Sequence, residues 1–364
     1  MADRGGDVMA APLPLCVIGA GSIGRRHIEV ATLSPAIHLT AVVEPQADTR
    51  AKLAQQGLPM VASLEEVPKE TRACVIATPT PDHMPSTLAA LSCGWAVLVE
   101  KPFAETLDNA RTMMQAADTA GLPLIVGHHR RCHPYAMAMR DALPAIGPLV
   151  GLQGFWSVRK HDTYYDVPWR RLPGAGPLAS NLSHEIDLLG FMTGIPTEVT
   201  ALTSSATRGL VIEDTTALAF RFENGALGSF LMSDAGASPW SFEATSGENP
   251  EIAGSDQDYL RFTGTLGALA FPSLTLWGAS GPGEVEWSKP LTRTPGPHFD
   301  KIDPIRAQID RFAALLDGGT DDVLCRPENG FAALEMTLAT ALSGQTHRPV
   351  KRGEVPGDFT GVLT

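Results

Sequence analysis

Glu100, Lys101 and Pro102 directly follow the apolar run 97–99, which is typical of a buried strand. In an open α/β fold, ligands bind beyond the carboxyl ends of the parallel strands. A lysine at such an end, next to a cofactor, is a candidate for general acid and base catalysis. A surface ion pair that ends a strand has the same local sequence. The interpretation therefore depends on what the neighbouring strands carry.

A glycine-rich turn follows the first apolar run of the chain, residues 13–18. Its sequence is G-x-G-x-x-G over residues 19–24, and a helical pattern follows it. Between a strand and a helix this is a dinucleotide-binding fingerprint, in which the glycines allow the tight turn, the approach of the pyrophosphate and close helix packing. We expect five residues of this turn to bind the cofactor: Gly19, Gly21, Ser22, Ile23 and Gly24.

An acidic residue ends the second strand-like run, residues 39–43. This residue, Glu44, lies 20 residues beyond Gly24, where an acid bonds the adenosine ribose hydroxyls. A carboxylate there repels a 2′-phosphate, and Pro45 and Gln46 supply no arginine to hold one. The sequence therefore favours NAD over NADP as the cofactor.

Strands and helices alternate through about residue 130, which predicts an α/β Rossmann domain over residues 10–130 with a doubly wound parallel sheet. Further runs typical of strands are 59–62, 73–77 and 122–126, and Ser63–Glu66 has the form of a capping box that opens a helix. We expect the strand ends to meet at one edge of the sheet. Further candidate cofactor contacts at that edge are Thr78, Pro79, His83, Glu100 and Lys101.

The pattern changes after Pro148, where short runs alternate apolar and polar residues between glycine- and asparagine-containing turns. This predicts an α+β domain over residues 131–364, with a large, mostly antiparallel, open sheet packed on a core by one face. The other face is available to another subunit, so we expect a homodimer or homotetramer. The predicted strands are 150–158, 198–204, 216–222, 226–233, 259–263 and 268–271, and the predicted helices are 305–316 and 328–343.

The composition excludes several classes of partner. A formal net charge of −12 argues against a nucleic-acid or anionic-membrane surface, because both require a basic face. The five cysteines are odd in number and lack C-x-x-C spacing, which fits a reducing compartment. The first seven residues have no apolar leader region, and no run approaches the ~20 apolar residues that span a bilayer. We expect a cytoplasmic protein with a small polar substrate and no metal.

Several of these motifs together resemble the Gfo/Idh/MocA family of NAD(P)-dependent dehydrogenases and reductases, which act on sugars, polyols and related cyclic compounds. They are the glycine turn, the A-T-P-x-x-x-H turn at 77–83, the E-K-P triplet at 100–102, and G-H-H-R-R-C-H-P at 127–134. The last resembles the family's G-F-x-R-R-F-x-P segment, with His128 and Cys132 in place of the aromatics. The resemblance covers nearly the whole chain, and it implies that Lys101 lies beside the nicotinamide and the substrate.

Residues 174–187 resemble the family signature G-G-G-x-L-x-D-x-G-x-H-x-x-D, so that His184 falls on the catalytic histidine and Asp187 on the acid after it. On a helix from Ser183 to Gly194 these two side chains are neighbours, and Asp187 is expected to orient the imidazole. The sequence departs from the signature at Ser180, where the family has a carboxylate. Asn181, the next residue, introduces an amide, and a subset of the family carries this N-L-x-H form.

The resemblance implies hydride transfer between nicotinamide and a secondary alcohol or ketone of the substrate, with Lys101 and His184 handling the hydroxyl proton. The candidates for orienting the substrate are Arg130, Arg131, Tyr165 and Asn181. The segments 160–171 and 239–257 are candidate pocket loops. The other interpretation is an ordinary connection for 160–171 and disorder for the long segment 239–257. Two alternative functions remain open: a family enzyme that cleaves glycosidic bonds with tightly held NAD, and a non-catalytic dinucleotide-binding sensor. Release of reduced cofactor during turnover separates dehydrogenation from both.

Overall fold

The computed structural model describes residues 11–249, 251–279, 285–300 and 302–362. The residues before position 11, where the sequence predicts no apolar leader, and residue 250 of the 239–257 loop lie outside the described part. The chain forms two compact units, a first of residues up to 103 with 111–127 and 305–327, and a second of 104–110, 128–304 and 328 onwards. Among the described helices, none combines the length and apolar character needed to cross a membrane.

The first unit contains a six-stranded parallel sheet with the strand order β3-β2-β1-β4-β5-β6. β4 and β5 are buried along their whole length, as expected where helices cover both faces. The predicted doubly wound Rossmann sheet is therefore confirmed. Its strands are β1 (Leu13–Ile18), β2 (Ile37–Val43), β3 (Met60–Val61), β4 (Ala73–Ile76), β5 (Ala96–Val99) and β6 (Leu124–Val126), and its helices are α1 (Ser22–Leu33), α2 (Ala47–Ala54), α3 (His83–Ser92) and α4 (Leu107–Ala120).

The predicted capping-box helix at Ser63 is wrong. The structure has a single 3₁₀ turn, Leu64–Glu66, and the Ser63 side chain makes no capping hydrogen bond there. Val67 has the extended conformation (φ −69°, ψ 135°), and Pro68 follows it. A residue before proline is disfavoured in the helical region, so the turn cannot lengthen into a helix.

The second unit contains a nine-stranded sheet with the order β14-β13-β12-β11-β7-β10-β9-β8-β15. Among the described residues of this sheet only β7 and β10 pair in parallel, so the predicted mostly antiparallel sheet is confirmed. The sequence prediction missed β13, β14 and β15, which are short. The strands are β7 (Leu149–Ser157), β8 (Glu198–Ser204), β9 (Thr215–Arg221), β10 (Leu227–Ser233), β11 (Leu260–Gly264), β12 (Gly267–Phe271), β13 (Leu276–Ala279), β14 (Leu291–Thr294) and β15 (Val350–Lys351), with helices α5 (Pro134–Ala142), α6 (Ser183–Thr193) and α7 (Phe242–Ser246).

Helices α8 (Pro304–Leu316) and α9 (Pro327–Thr346) complete the described chain. Residues 305–327, which the sequence prediction assigns to the second domain, belong to the first unit. Val126 of β6 donates its N–H to Cys325 O at 2.9 Å, and Ser34 Oγ donates to Asp310 Oδ1 at 2.5 Å. β6 is an edge strand, and its unpaired backbone groups can bind a segment that returns from far along the chain.

Candidate active site

The glycine turn lies at the carboxyl end of β1, beside β4, where the strand order of the first sheet reverses. This reversal is where open α/β sheets bind ligands. Gly19 has φ +95°, and a Cβ there would lie 2.7 Å from Ala77 O; a Cβ on Gly24 would lie 2.1 Å from Gly19 O. A Cβ on Gly21 would meet no atom within 4 Å. Gly19 and Gly24 thus allow the turn to close, whereas Gly21 leaves open space over exposed backbone, which fits a pyrophosphate.

Glu44 is buried at the end of β2 and is held against this turn. Its carboxylate accepts hydrogen bonds from Ala20 N at 3.2 Å and from Gln46 N at 2.9 Å. Arg50, which the sequence analysis did not consider, donates through Nη1 to Glu44 O at 2.8 Å and Pro45 O at 2.9 Å. The predicted ribose-binding acid therefore lies beside the glycine turn, and the nearby guanidinium is bonded to backbone carbonyls.

His83 joins the ends of β4 and β5. Its Nδ1 lies 3.0 Å from Pro102 O and its Nε2 3.1 Å from Thr78 O. Burial lowers the pKa of His83, against the opposing effect of Glu100 and the carbonyls. The hydroxyl of Thr78 is buried without a hydrogen-bond partner among the described residues. His83 therefore fixes two neighbouring strand ends, and Thr78 leaves a polar atom there that a bound cofactor would satisfy.

Glu100 connects the proposed catalytic lysine to the dinucleotide helix. Its Oε1 lies 2.6 Å from Nε2 of His27 in α1, and its Oε2 accepts the backbone N–H of Lys101 at 3.0 Å. Both side chains of the His27–Glu100 pair are buried. A Cβ on Gly127 would lie 3.2 Å from the Glu100 carboxylate, so the glycine at the end of β6 makes room for it. The sequence analysis missed His27, although it lies three residues after Gly24 on the helix that the motif predicts.

The proposed catalytic histidine, His184, lies in the first turn of α6. A π-helical turn, Leu178–Leu182, runs directly into this helix, and Gly194 ends it, as the sequence predicted. The ring of His184 packs edge-on against His129, with centroids 5.2 Å apart, and against His128 at 5.9 Å. His129 is hydrogen-bonded to Glu248 of the 239–257 loop. His184 therefore packs against two imidazoles, of which the sequence analysis noted His128 only as a departure from the family pattern and did not consider His129.

Arg130, a predicted substrate ligand, lies in a buried charge cluster of the second unit. Its guanidinium bonds Glu185 at 2.6 Å and Glu243 at 2.5 Å, and lies 3.3 Å from Glu248. Burial opposes ionisation of Arg130, but the three carboxylates outweigh it and raise its pKa. At Glu185, burial and repulsion by Glu243 outweigh the attraction of Arg130. They raise the pKa of the Glu185 carboxyl group to about 7. Arg130 is thus bound to carboxylates of its own chain.

Arg131 and Asp187 form a two-bond ion pair. Arg131 donates Nε to Asp187 Oδ2 at 2.8 Å and Nη2 to Asp187 Oδ1 at 2.6 Å. Nδ1 of His128 lies 3.9 Å from the same carboxylate. The predicted orientation of His184 by Asp187 stays a prediction; the structure adds that Arg131 fixes the position of Asp187.

Asn181 and Tyr165, the remaining predicted substrate ligands, belong to a second polar cluster. Nζ of Lys160 donates to Asn181 Oδ1 at 3.2 Å and lies 3.5 Å from Asp234 Oδ2. The Tyr165 hydroxyl donates to Asp234, and burial with that carboxylate raises the pKa of Tyr165. Arg208 also pairs with Asp234, Nε to Oδ1 at 3.4 Å. The sequence analysis noted Lys160 only as part of a basic loop, because its partners are distant along the chain.

The predicted residues thus form two sets. The first unit brings together the glycine turn, Glu44, Thr78, His83, Glu100 and Lys101 at the carboxyl edge of its sheet. In the second unit, Glu185, the residue after His184, is bonded to Arg130, and Asn181 is bonded to Lys160. Each set presents polar side chains, and the carboxylate of the family signature is missing from the second set because Ser180 stands in its place.

Known proteins match the chain over both units. A model described as an oxidoreductase family with an NAD-binding Rossmann fold matches residues 14–128, and the Gfo/Idh/MocA C-terminal domain matches residues 142–270. The 1,5-anhydro-D-fructose reductase of Ensifer adhaerens is 32% identical over 223 residues, 59% of this chain and 67% of that protein. The rhizopine catabolism protein MocA of Rhizobium meliloti is 29% identical over 196 residues, 53% of this chain and 61% of that protein. The chain thus spans 61–67% of these two relatives.

Solved structures extend the likeness to the whole fold. An oxidoreductase from Desulfitobacterium hafniense, described as NADPH-dependent, has a TM-score of 0.78 at 20% identity and covers 95% of this chain and 99% of its own. At this identity the likeness concerns the fold alone. The predicted family resemblance is confirmed: the chain belongs to the Gfo/Idh/MocA oxidoreductase family.

Proposed function

We propose that this protein is an NAD-dependent oxidoreductase that transfers a hydride between nicotinamide and a secondary alcohol or ketone of a small hydroxylated substrate. The observation that carries the proposal is the edge of the first sheet, where a dinucleotide turn with open space at Gly21 adjoins Glu44 and the Glu100–Lys101 pair. The reductase and dehydrogenase names of the relatives, such as 1,5-anhydro-D-fructose reductase, support a sugar or polyol as substrate.

The residues of the first unit fit NAD by their chemistry. Gly19 to Gly24 would hold the pyrophosphate, and Glu44 would accept the adenosine ribose hydroxyls. The carboxylate of Glu44 repels a 2′-phosphate, and the hydrogen bonds from Ala20 and Gln46 hold it beside the glycine turn. NAD is therefore proposed over NADP. The bound cofactor supplies the hydride acceptor or donor.

The protein's own side chains carry the proton. Lys101 and His184 share the proton of the reacting hydroxyl as general acid and base. Asp187, fixed by Arg131, keeps the imidazole in place. Because Arg130 and Arg131 are both buried against carboxylates, we assign them to support of the site wall rather than to contact with substrate.

The proposal is tested by supplying sugars, polyols and cyclic diols with NAD or NADP and measuring nicotinamide absorbance. A proton-transfer group contributes on the order of 10²–10⁴-fold in rate, so His184→Ala and Lys101→Ala should each lose at least 10²-fold in turnover. Both variants should keep NAD affinity, and the exposed residues His38 and Lys52 supply matched alanine controls. Wild-type turnover in His184→Ala would show that the motif is structural in this chain.

We also propose a homodimer or homotetramer formed through the open face of the second sheet. Alternate residues of β9 are exposed on that face, and Leu202 and Leu227 of neighbouring strands are 67% and 54% exposed. Light scattering that gives the monomer mass at micromolar concentration would contradict the assembly. A cytoplasmic location is proposed because the five cysteines form no disulfide among the described residues.

A further inference from the structure

A lysine contacts the turn that leads into the His184 helix. Lys160 follows β7, and its ammonium contacts Asn181 at 3.2 Å and Asp234 at 3.5 Å. Its side chain is 16% exposed, so it is neither a surface lysine nor sealed in the core. The ammonium also lies over the Tyr164 ring, 4.7 Å from its centroid, and of its three N–H donors one is accepted by Asn181.

The Lys160–Asn181 contact fixes which way the amide faces. An ammonium can only donate, so the Asn181 atom that faces it must be the oxygen. The Ser180 hydroxyl lies 2.8 Å from the same oxygen and 3.1 Å from Gly176 O, and it donates its one proton to either. Asn181 Oδ1 thus faces donors of the protein itself, and the amide offers a ligand its NH₂ group. Lys160 and Asn181 together therefore present donors and no acceptor.

The charge around Lys160 leaves room for an anion. Asp234 is the carboxylate in contact with Lys160, but it also pairs with Arg208 and accepts the Tyr165 hydroxyl. Arg208 and Arg159 also pair with the exposed Asp162, at 3.2 Å and 3.4 Å, so two carboxylates face three cations. Glu213 attracts Lys160 at longer range, yet its Oε1 is bonded to Leu178 N at 3.0 Å and burial raises its pKa. Ser180 brings no charge to the position where the family signature has a carboxylate.

We infer that Lys160 and Asn181 bind a carboxylate of the substrate, so that the substrates are hydroxy acids: aldonates, uronates or cyclic hydroxy acids. A carboxylate only accepts hydrogen bonds, which matches a donor-only pair, whereas a hydroxyl also needs an acceptor. Asn181 lies in the π-helical turn that runs into α6, three residues before His184, so the two residues lie within about one helical turn of each other. The carboxylate would then be held close to the imidazole that handles the hydroxyl proton. This inference rests on the proposed function and narrows its substrate class.

The test compares compounds in pairs of which one member carries a carboxylate: D-glucitol with D-gluconate, D-glucose with D-glucuronate, and methyl quinate with quinate. Each is assayed for NADH formation with wild type, Lys160→Met, Lys160→Arg and Asn181→Asp. Methionine keeps the unbranched apolar stem and removes the charge, and Lys289→Met is the control at an exposed lysine. Calorimetric titration of the three carboxylates into protein with saturating NAD measures binding independently of turnover, and melting curves check folding.

A charge-assisted hydrogen bond supports roughly tenfold or greater discrimination. We expect wild type to prefer the acid of at least one pair by that factor in kcat/KM, and Lys160→Met to lose the preference while the neutral partner is unaffected. Lys160→Arg should keep the preference, and Asn181→Asp should weaken it. Equal losses on both members of a pair in Lys160→Met would overturn the inference.

Two further outcomes separate this inference from the proposed function. Turnover of neutral compounds without any preference for acids overturns the carboxylate site and leaves the dehydrogenase proposal standing. If no compound is oxidised, calorimetry decides: carboxylate binding that disappears in Lys160→Met supports the site, and absence of carboxylate binding to wild type overturns it.

Discussion

The buried cluster around Arg130 makes a prediction about stability and pH. One guanidinium there faces the carboxylates of Glu185, Glu243 and Glu248. Glu185 also accepts the Tyr259 hydroxyl at 3.1 Å, and it is fully buried. We predict that Glu185→Gln stabilises the protein at alkaline pH. Glutamine keeps the size and an oxygen acceptor for Arg130, and it removes the charge that burial penalises.

The magnitude follows from the shift of the pKa. Burial first, then repulsion by Glu243, raises the pKa of Glu185 from 4.5 to about 7 despite the attraction of Arg130. Between these values the folded state binds more protons than the unfolded state, so stability falls as pH rises through the window. At 1.36 kcal/mol for each pKa unit, the ionised side chain costs about 3 kcal/mol above pH 7. Below pH 4.5 the cost is absent.

Urea unfolding at pH 5 and pH 8 measures this difference. Glu185→Gln should match wild type to within about 1 kcal/mol at pH 5 and exceed it by about 3 kcal/mol at pH 8, because the raised pKa already includes the attraction of Arg130. Glu223→Gln, at an exposed position, should leave the pH dependence unchanged. A variant that is less stable than wild type at pH 8 would show that Arg130 needs all three carboxylates ionised, and the reasoning would fail.

Three other predictions concern the cofactor edge. When NAD and NADP are titrated into each variant, Glu44→Ala should show a smaller difference in affinity between the two cofactors than wild type. Equal affinities of wild type for NAD and NADP would contradict the argument from the charge of Glu44. Gly21→Ala should fold normally but bind NAD more weakly, because its Cβ would occupy the open space proposed for the pyrophosphate. Gly24→Ala should destabilise the domain, because its Cβ would lie 2.1 Å from a carbonyl oxygen. Equal melting temperatures of the two variants would refute this contrast. His27→Ala removes a partner of the buried Glu100 carboxylate, so it should cost about 1–3 kcal/mol in unfolding free energy. It should also lower kcat more than NAD affinity. An unchanged kcat would argue against a role of His27 in placing Lys101.

The sequence alone determined the architecture and the cofactor edge. Local signals specify these features. The turn requires glycine at positions 19 and 24, because a Cβ there would collide with neighbouring backbone atoms. The strands of the first sheet are apolar because helices cover both faces. The helix from Ser183 to Gly194 was predictable for the same reason, since its start and its glycine stop are encoded within a dozen residues. The capping-box pattern at Ser63 predicted a helix, but Pro68 disfavours the helical conformation of Val67, and the helix does not form.

Only the tertiary structure decided which charged side chains are available to a ligand. Arg130 is adjacent in sequence to the predicted active site, but its partners Glu185 and Glu243 lie 55 and 113 residues away. His27 and Glu100 are separated by 73 residues, and Lys160 and Asn181 by 21. An arginine that is paired and buried has the same residue type as one that binds substrate. The difference lies in which carboxylates the fold brings within bonding distance, because burial makes each charge depend on a partner that local sequence does not name.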